Sequence, residues 1–178
     1  MAVIAGAFYQ KKGAGWTISA PVIGPTGDII GVQEKIHPFD YERKIIRAGT
    51  LVKVFKAKFR FGVPICYDMV FSDVAETLVK KGAQVLLSPS RIVRRGIRPW
   101  HMYVQVRALE NRVPVLASNM QSAKFGGKSI IVDLVEDDKV MLPKAIILSG
   151  QSARIIDFDL AKYEKGRKIR YRDHRKFV

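Results

Sequence analysis

The sequence predicts a layered α/β sandwich built around a mixed sheet. Three observations point there. Short apolar runs of strand length recur along the 178-residue chain. Between them lie two longer segments with helix signals. No internal repeat or linker-like stretch divides the chain, so it reads as a single domain over 1–178 ending in a basic tail at 162–178. At 48% hydrophobic residues it can bury a sizeable core.

Taken in order, "AVIAGAFY" is a strand. "ISAPVIGPTGDIIGVQEK" is two strands around a Pro-Thr-Gly-Asp turn, a hairpin signal. "KVFKAKFRFGVPIC" alternates apolar and basic residues and then turns continuously apolar, which predicts one strand exposed at its start and buried at its end. "DVAETLVKKG" is a helix. Asp73 and Glu76 have capping-box spacing, Val74, Ala75, Leu78 and Val79 share a stripe, and Gly82 ends it. "AQVLLSPS" is a short buried strand. "PWHMYVQVRALENR" is a second helix, with Pro99 in its first turn and Trp100 and Tyr103 on its apolar face. "VPVLASN", "SIIVDL" and "ARIIDFDL" are strands, with "VEDDKV" turning after the second.

Lys and Arg total 31 against 16 acidic residues, a formal net charge of +15. Two basic runs concentrate the excess: "RIVRRGIR" at 91–98, and "KYEKGRKIRYRDHRK" at 162–176, read as a solvated tail. Neither carries a base-reading motif, so a basic surface is expected rather than a nucleic-acid partner. No uncharged run reaches the ~20 residues of a membrane span. The opening residues lack a basic leader, so no signal peptide is read. A single cysteine excludes an internal disulfide and suits a reducing cytoplasm. Three scattered histidines, His37, His101 and His174, give no metal-ligand spacing, and no cofactor is implied.

That cysteine, Cys66, closes the buried run, with a helix starting about seven residues later. A lone cysteine is ordinarily an inert hydrophobe. A nucleophile there needs a cation or a helix start to lower its pKa, and a base to take its proton.

Five blocks stand in order along the chain: "GDIIGVQEKIHPFDYE", "GVPICYD", "GAQVLLSPS", "VRALENRVPVLASN" and "FGGKSIIVD". Together they resemble the nitrilase superfamily of carbon–nitrogen hydrolases. The resemblance implies a nitrilase-like four-layer αββα sandwich with mixed sheets and a Glu–Lys–Cys triad. Cys66 would attack a carbonyl or nitrile carbon and form a thioester. Lys35, with the backbone N–H of Tyr67, would hold the oxyanion, and Glu42 would match a second glutamate that orients Lys35 and substrate. Such chemistry uses no cofactor or metal and acts on a small amide, carbamoyl compound or nitrile. At least a homodimer is expected.

The family's general-base glutamate belongs to an upstream "PE" block, and none precedes Lys35. The chain is therefore expected to hold the C-terminal two-thirds of the family fold and to be impaired on its own. Glu34, adjacent to Lys35 in a strand, should face away from it. Glu110 should be structural, paired with an arginine. "CYDMVFSD" places Val70 and Asp73 where the family has an arginine and a glutamate. The Cys66 thiol is expected near Lys35 with a pKa below the ~8.5 of a free thiol. The rival readings are an inactive binding or scaffold protein on the same fold, and a basic nucleic-acid binder.

Overall fold

The structure is a computed structural model describing residues 1–150 and 153–175. Among the described residues, ten strands form two sheets. The smaller contains β1 (Val3–Ile4), β2 (Phe8–Lys12), β3 (Gly15–Ile23) and β4 (Ile29–Glu34), all antiparallel around β3. The larger contains β5 (Val54–Lys56), β6 (Arg60–Gly62), β7 (Val85–Ser90), β8 (Val115–Asn119), β9 (Ile130–Asp137) and β10 (Val140–Ile147), ordered β10-β9-β8-β7-β6-β5. It is mixed: β6, β7 and β8 run parallel, and the remaining pairs are antiparallel. Helices α1 (Ser72–Lys80), α2 (Ile97–Asn111) and α3 (Ala161–Asp173) complete the fold.

Two cores follow from strand alternation, because each strand of the larger sheet sends successive side chains to opposite faces. Ile18, Ala20 and Val22 of β3 meet Phe61 and Val85 between the sheets. Leu86, Val115, Val132 and Leu134 meet Leu78 of α1 and Trp100, Val104 and Ala108 of α2 on the other side. The described residues thus stack helices, larger sheet and smaller sheet, the α/β sandwich around a mixed sheet that the sequence predicts.

The β3–β4 hairpin, α1, α2, β7 and β8 form where the sequence places them, and Gly82 ends α1 at φ +97°. Several elements differ. "AVIAGAFY" is broken by Gly6, whose φ of +116° no side chain-bearing residue adopts readily, into β1 and β2. "KVFKAKFRF" is a hairpin, β5 against β6, turning at Ala57–Phe59; its alternation belongs to two short strands. Residues 63–65 are buried but outside the ladder. Helix α1 is capped by Phe71 without a side-chain bond. Asp73 accepts from the N–H of Val74, and Glu76 pairs with Lys80, so no capping box forms there.

The turn at 137–139 leads directly into β10, which pairs with β9 along its whole length. Residues 153–159 are irregular where a strand is expected. The basic segment is helical rather than a free tail. Tyr163 of α3 is 2% exposed and donates its hydroxyl to Asp133 of β9, which also takes Lys162 at 2.9 Å. Residues 176–178 of that segment lie outside the described ones. No described helix is long and apolar enough to cross a membrane.

Candidate active site

Cys66 opens a short 3₁₀ turn, Cys66–Val70, directly after the buried residues that follow β6. Its φ is +53°. For a residue with a Cβ that left-handed conformation costs about 1–2 kcal/mol. Cys66 lines a cavity of about 580 Å³ together with Lys35, Glu42, Tyr67, Arg91 and Trp100.

Lys35 follows β4. Its N–H donates to the carbonyl of Ile18 at 2.8 Å, which continues the sheet pairing by one residue and sends the side chain inward. Glu34 faces the other way and pairs with Lys12, as alternation requires. Gly49 lets the returning chain close over this strand end. Its N–H donates to the Lys35 carbonyl at 2.8 Å, and a Cβ there would lie 3.0 Å from the Glu34 carbonyl oxygen.

The Lys35 side chain is buried, and its Nζ donates to Glu42 Oε2 at 2.6 Å. Glu42 stands in the 3₁₀ turn Asp40–Lys44. The same oxygen accepts the N–H of Phe39 at 2.7 Å, which fixes the carboxylate against the turn that carries it.

Asp68, two residues after Cys66, ties the two segments together. Its buried carboxylate accepts the N–H of His37 at 2.7 Å, of Ile65 at 3.0 Å and of Ile36 at 3.3 Å. The residues after Lys35 and the residue before Cys66 therefore share one acceptor. Burial pushes the Asp68 carboxyl up, and the N–H donors and His37 oppose that rise. Asp68 belongs to none of the catalytic positions that the resemblance implies; its signal in the sequence is a carboxylate in a turn immediately after an apolar run.

Burial also pushes the Cys66 thiol up, opposed mainly by the Lys35 charge and then by the backbone N–H of Arg91. This corrects the expectation of a depressed thiol pKa. Lys35 acts in the expected direction, but desolvation outweighs it. The thiol is half-buried.

Glu110 pairs with Arg107, whose guanidinium donates to the Met69 carbonyl at 3.0 Å, so the "RALEN" block buttresses the turn after Cys66. His37 stacks on Phe71, and His101 bonds the Lys128 carbonyl. Trp100 is buried as expected, whereas Tyr103 is exposed at the cavity. A larger cavity of about 770 Å³ lies between α3 and the β9–β10 turn, away from Cys66, Lys35 and Glu42.

A half-buried thiol and a buried ammonium–carboxylate pair lining one cavity can attack an electrophilic carbon and hold the resulting oxyanion. The carbon-nitrogen hydrolase family model matches residues 1–138. A nitrilase of Pyrococcus abyssi is 37% identical over 149 residues, covering 80% of this chain and 52% of that protein. A citrullinase of Francisella tularensis is 29% identical over 186 residues, covering 93% and 64%. Among solved structures, a nitrilase-superfamily member from Saccharomyces cerevisiae superposes with a TM-score of 0.68 at 28% identity, over 74% of this chain and 52% of that one. A carbon-nitrogen hydrolase from Helicobacter pylori shares the fold with a TM-score of 0.75 at 24% identity, over 95% and 66%. The chain spans about half the length of the curated relatives it matches.

Proposed function

The chain belongs to the carbon–nitrogen hydrolase family, within the nitrilase superfamily, and from that premise we propose that it cleaves a non-peptide C–N bond through a thioester on Cys66. The substrate is a small amide, carbamoyl compound or nitrile. The observation that carries this reading is the buried Lys35–Glu42 pair lining the same cavity as the Cys66 thiol.

For an amide, the Cys66 sulfur, once deprotonated, attacks the carbonyl carbon. The C–O π pair moves to oxygen, which the Lys35 ammonium and the Tyr67 N–H stabilise. Collapse breaks the C–N bond, and the nitrogen leaves as ammonia or an amine, taking through solvent the proton that the thiol gave up. Water then attacks the thioester, the carboxylic acid leaves, and the thiol is restored. Glu42 holds Lys35 in place through the first step.

Proton transfer limits the cycle. Glu42 is the only carboxylate among the described residues that line the cavity, and Lys35 already occupies it. A positioned general base contributes roughly 10²–10⁴-fold, so turnover by this chain alone is slow. A scaffold role on the same fold is the reading left if Cys66 never acylates. The single cysteine supports a cytoplasmic setting. Exposed Phe8, Tyr9 and Trp16 on β2 and β3 support a homo-oligomer, which light scattering over a range of concentrations tests.

Ammonia release from small amides by wild type, Cys66→Ala and Glu42→Gln tests the reading. The expected result is slow hydrolysis that vanishes in Cys66→Ala. Hydrolysis that survives in Cys66→Ala overturns it. Fast hydrolysis lost in Glu42→Gln would make Glu42 the general base.

A further inference from the structure

The cavity carries more positive charge than the proposed chemistry uses. Its charged lining among the described residues is Lys35, Glu42, Arg91 and Lys124. Lys35 and Glu42 cancel each other. Arg91 and Lys124 have no carboxylate partner among the described residues, which leaves two uncompensated cations at the exposed rim.

Their placement is fixed from below. Arg91 lies over the Phe125 ring with Cζ 4.7 Å from the centroid, and Lys124 Nζ lies 5.9 Å from the same centroid. Both cations therefore share one aromatic support. The backbones are joined as well. Val93 and Phe125 form an antiparallel bridge, the Gly126 N–H donates to the Ile92 carbonyl at 3.0 Å, and the Ile92 N–H donates to Asn119 Oδ1 at 2.7 Å. Arg91 lines the same cavity as Cys66 and Tyr9. The cation pair and the reacting thiol thus line one cavity, whose remaining walls are largely apolar and aromatic.

Resting on the hydrolase reading above, we propose that Arg91 and Lys124 recognise an anionic group on the substrate, and that the substrate is an amide, carbamoyl compound or nitrile bearing a carboxylate. The planar guanidinium fork of Arg91 matches the two carboxylate oxygens, and Lys124 adds a second charge. A carboxylate seated there leaves the scissile carbon toward Cys66 and Lys35. An uncharged analogue of the same length loses that anchor. The low-dielectric walls focus the field of the pair, so anionic compounds also reach the cavity faster.

The test compares alkylation of Cys66 by iodoacetate and iodoacetamide, reagents of similar size that differ in charge. Each displaces iodide from the same carbon, so neither requires turnover. The ratio of the two rates is referred to that of 2-mercaptoethanol. The expected ratio for wild type lies above the reference, drops at high salt, and falls on the order of tenfold in Arg91→Gln/Lys124→Gln, the low end of what a focused field supplies. Lys58→Gln, which removes a charge from the β5–β6 turn, retains the wild-type ratio. On wild type alone, glutaramate protects Cys66 from iodoacetamide at lower concentration than valeramide. A wild-type ratio equal to the reference, a ratio unmoved by the double substitution, or equal protection by the two amides overturns the proposal. Failure of the hydrolase reading looks different: Cys66 then labels with charge preference but never carries an acyl group. Acylation of Cys66 without charge preference sinks the carboxylate inference alone.

Discussion

Lys35 Nζ lies 2.6 Å from Glu42 Oε2, with the lysine side chain 2% exposed and the glutamate 11%. A pair this buried is costly to break from one side, because the remaining charge stays desolvated. Glu42→Gln is therefore expected to lower stability by about 3–5 kcal/mol, whereas the double substitution Lys35→Met/Glu42→Gln costs less than the sum of the singles. Urea denaturation midpoints measure both. Additive losses would mean that the two side chains do not interact in solution.

The thiol gives a pH prediction with a definite sign. Burial disfavours the thiolate, and the Lys35 charge favours it. The rate of Cys66 alkylation should therefore rise with pH through a midpoint above the ~8.5 of a free thiol. Lys35→Met should move that midpoint further up. Because the folded pKa lies above the unfolded one, the stability gained by keeping the thiol neutral is present below the unfolded pKa and fades as pH rises through the folded value. Iodoacetamide labelling across the alkaline range checks the first two statements. A midpoint below the free value, or one indifferent to Lys35, would contradict them.

Asp68 is predicted to position the site without touching substrate. Its carboxylate joins the N–H groups of Ile36 and His37 to that of Ile65. Asp68→Ala leaves those donors without their acceptor and should cost about 3 kcal/mol. It should also slow Cys66 alkylation at fixed pH, as the segments bearing Lys35 and Cys66 separate. Asp68→Asn keeps one acceptor oxygen and should recover part of both losses. A stability loss with unchanged thiol reactivity would reduce Asp68 to a purely structural residue.

The lysine, glutamate and cysteine that share the cavity were legible in the sequence because each sits in a short block whose order and spacing carry the resemblance. What joins them was less so. The left-handed φ of Cys66 follows from a turn whose only local sign is the polar "YD" after an apolar run. Arg91 and Lys124 lie 33 residues apart in sequence and meet only because the Val93–Phe125 bridge folds one loop onto another. Arg91 therefore read as part of a basic run.

The elements missed have similar causes. Residues 140–147 mix Pro143 and Lys144 with apolar residues, yet form a full partner for β9 because register with that strand compensates for a weak pattern. Helix α3 has no apolar stripe to read. It is anchored by Tyr163, whose partner Asp133 is thirty positions upstream, a pairing that local periodicity cannot reveal.

The most direct measurement is the mass of the protein after brief exposure to p-nitrophenyl acetate, an ester whose leaving group departs without a proton. The expected result is one acetyl group, mapped to Cys66 by peptide analysis, with a p-nitrophenol burst of about one equivalent per chain followed by slow release. Cys66→Ala should show neither the burst nor the adduct. An acetyl group on other residues with Cys66 unmodified, or a burst that persists in Cys66→Ala, would contradict the assignment of Cys66 as the nucleophile.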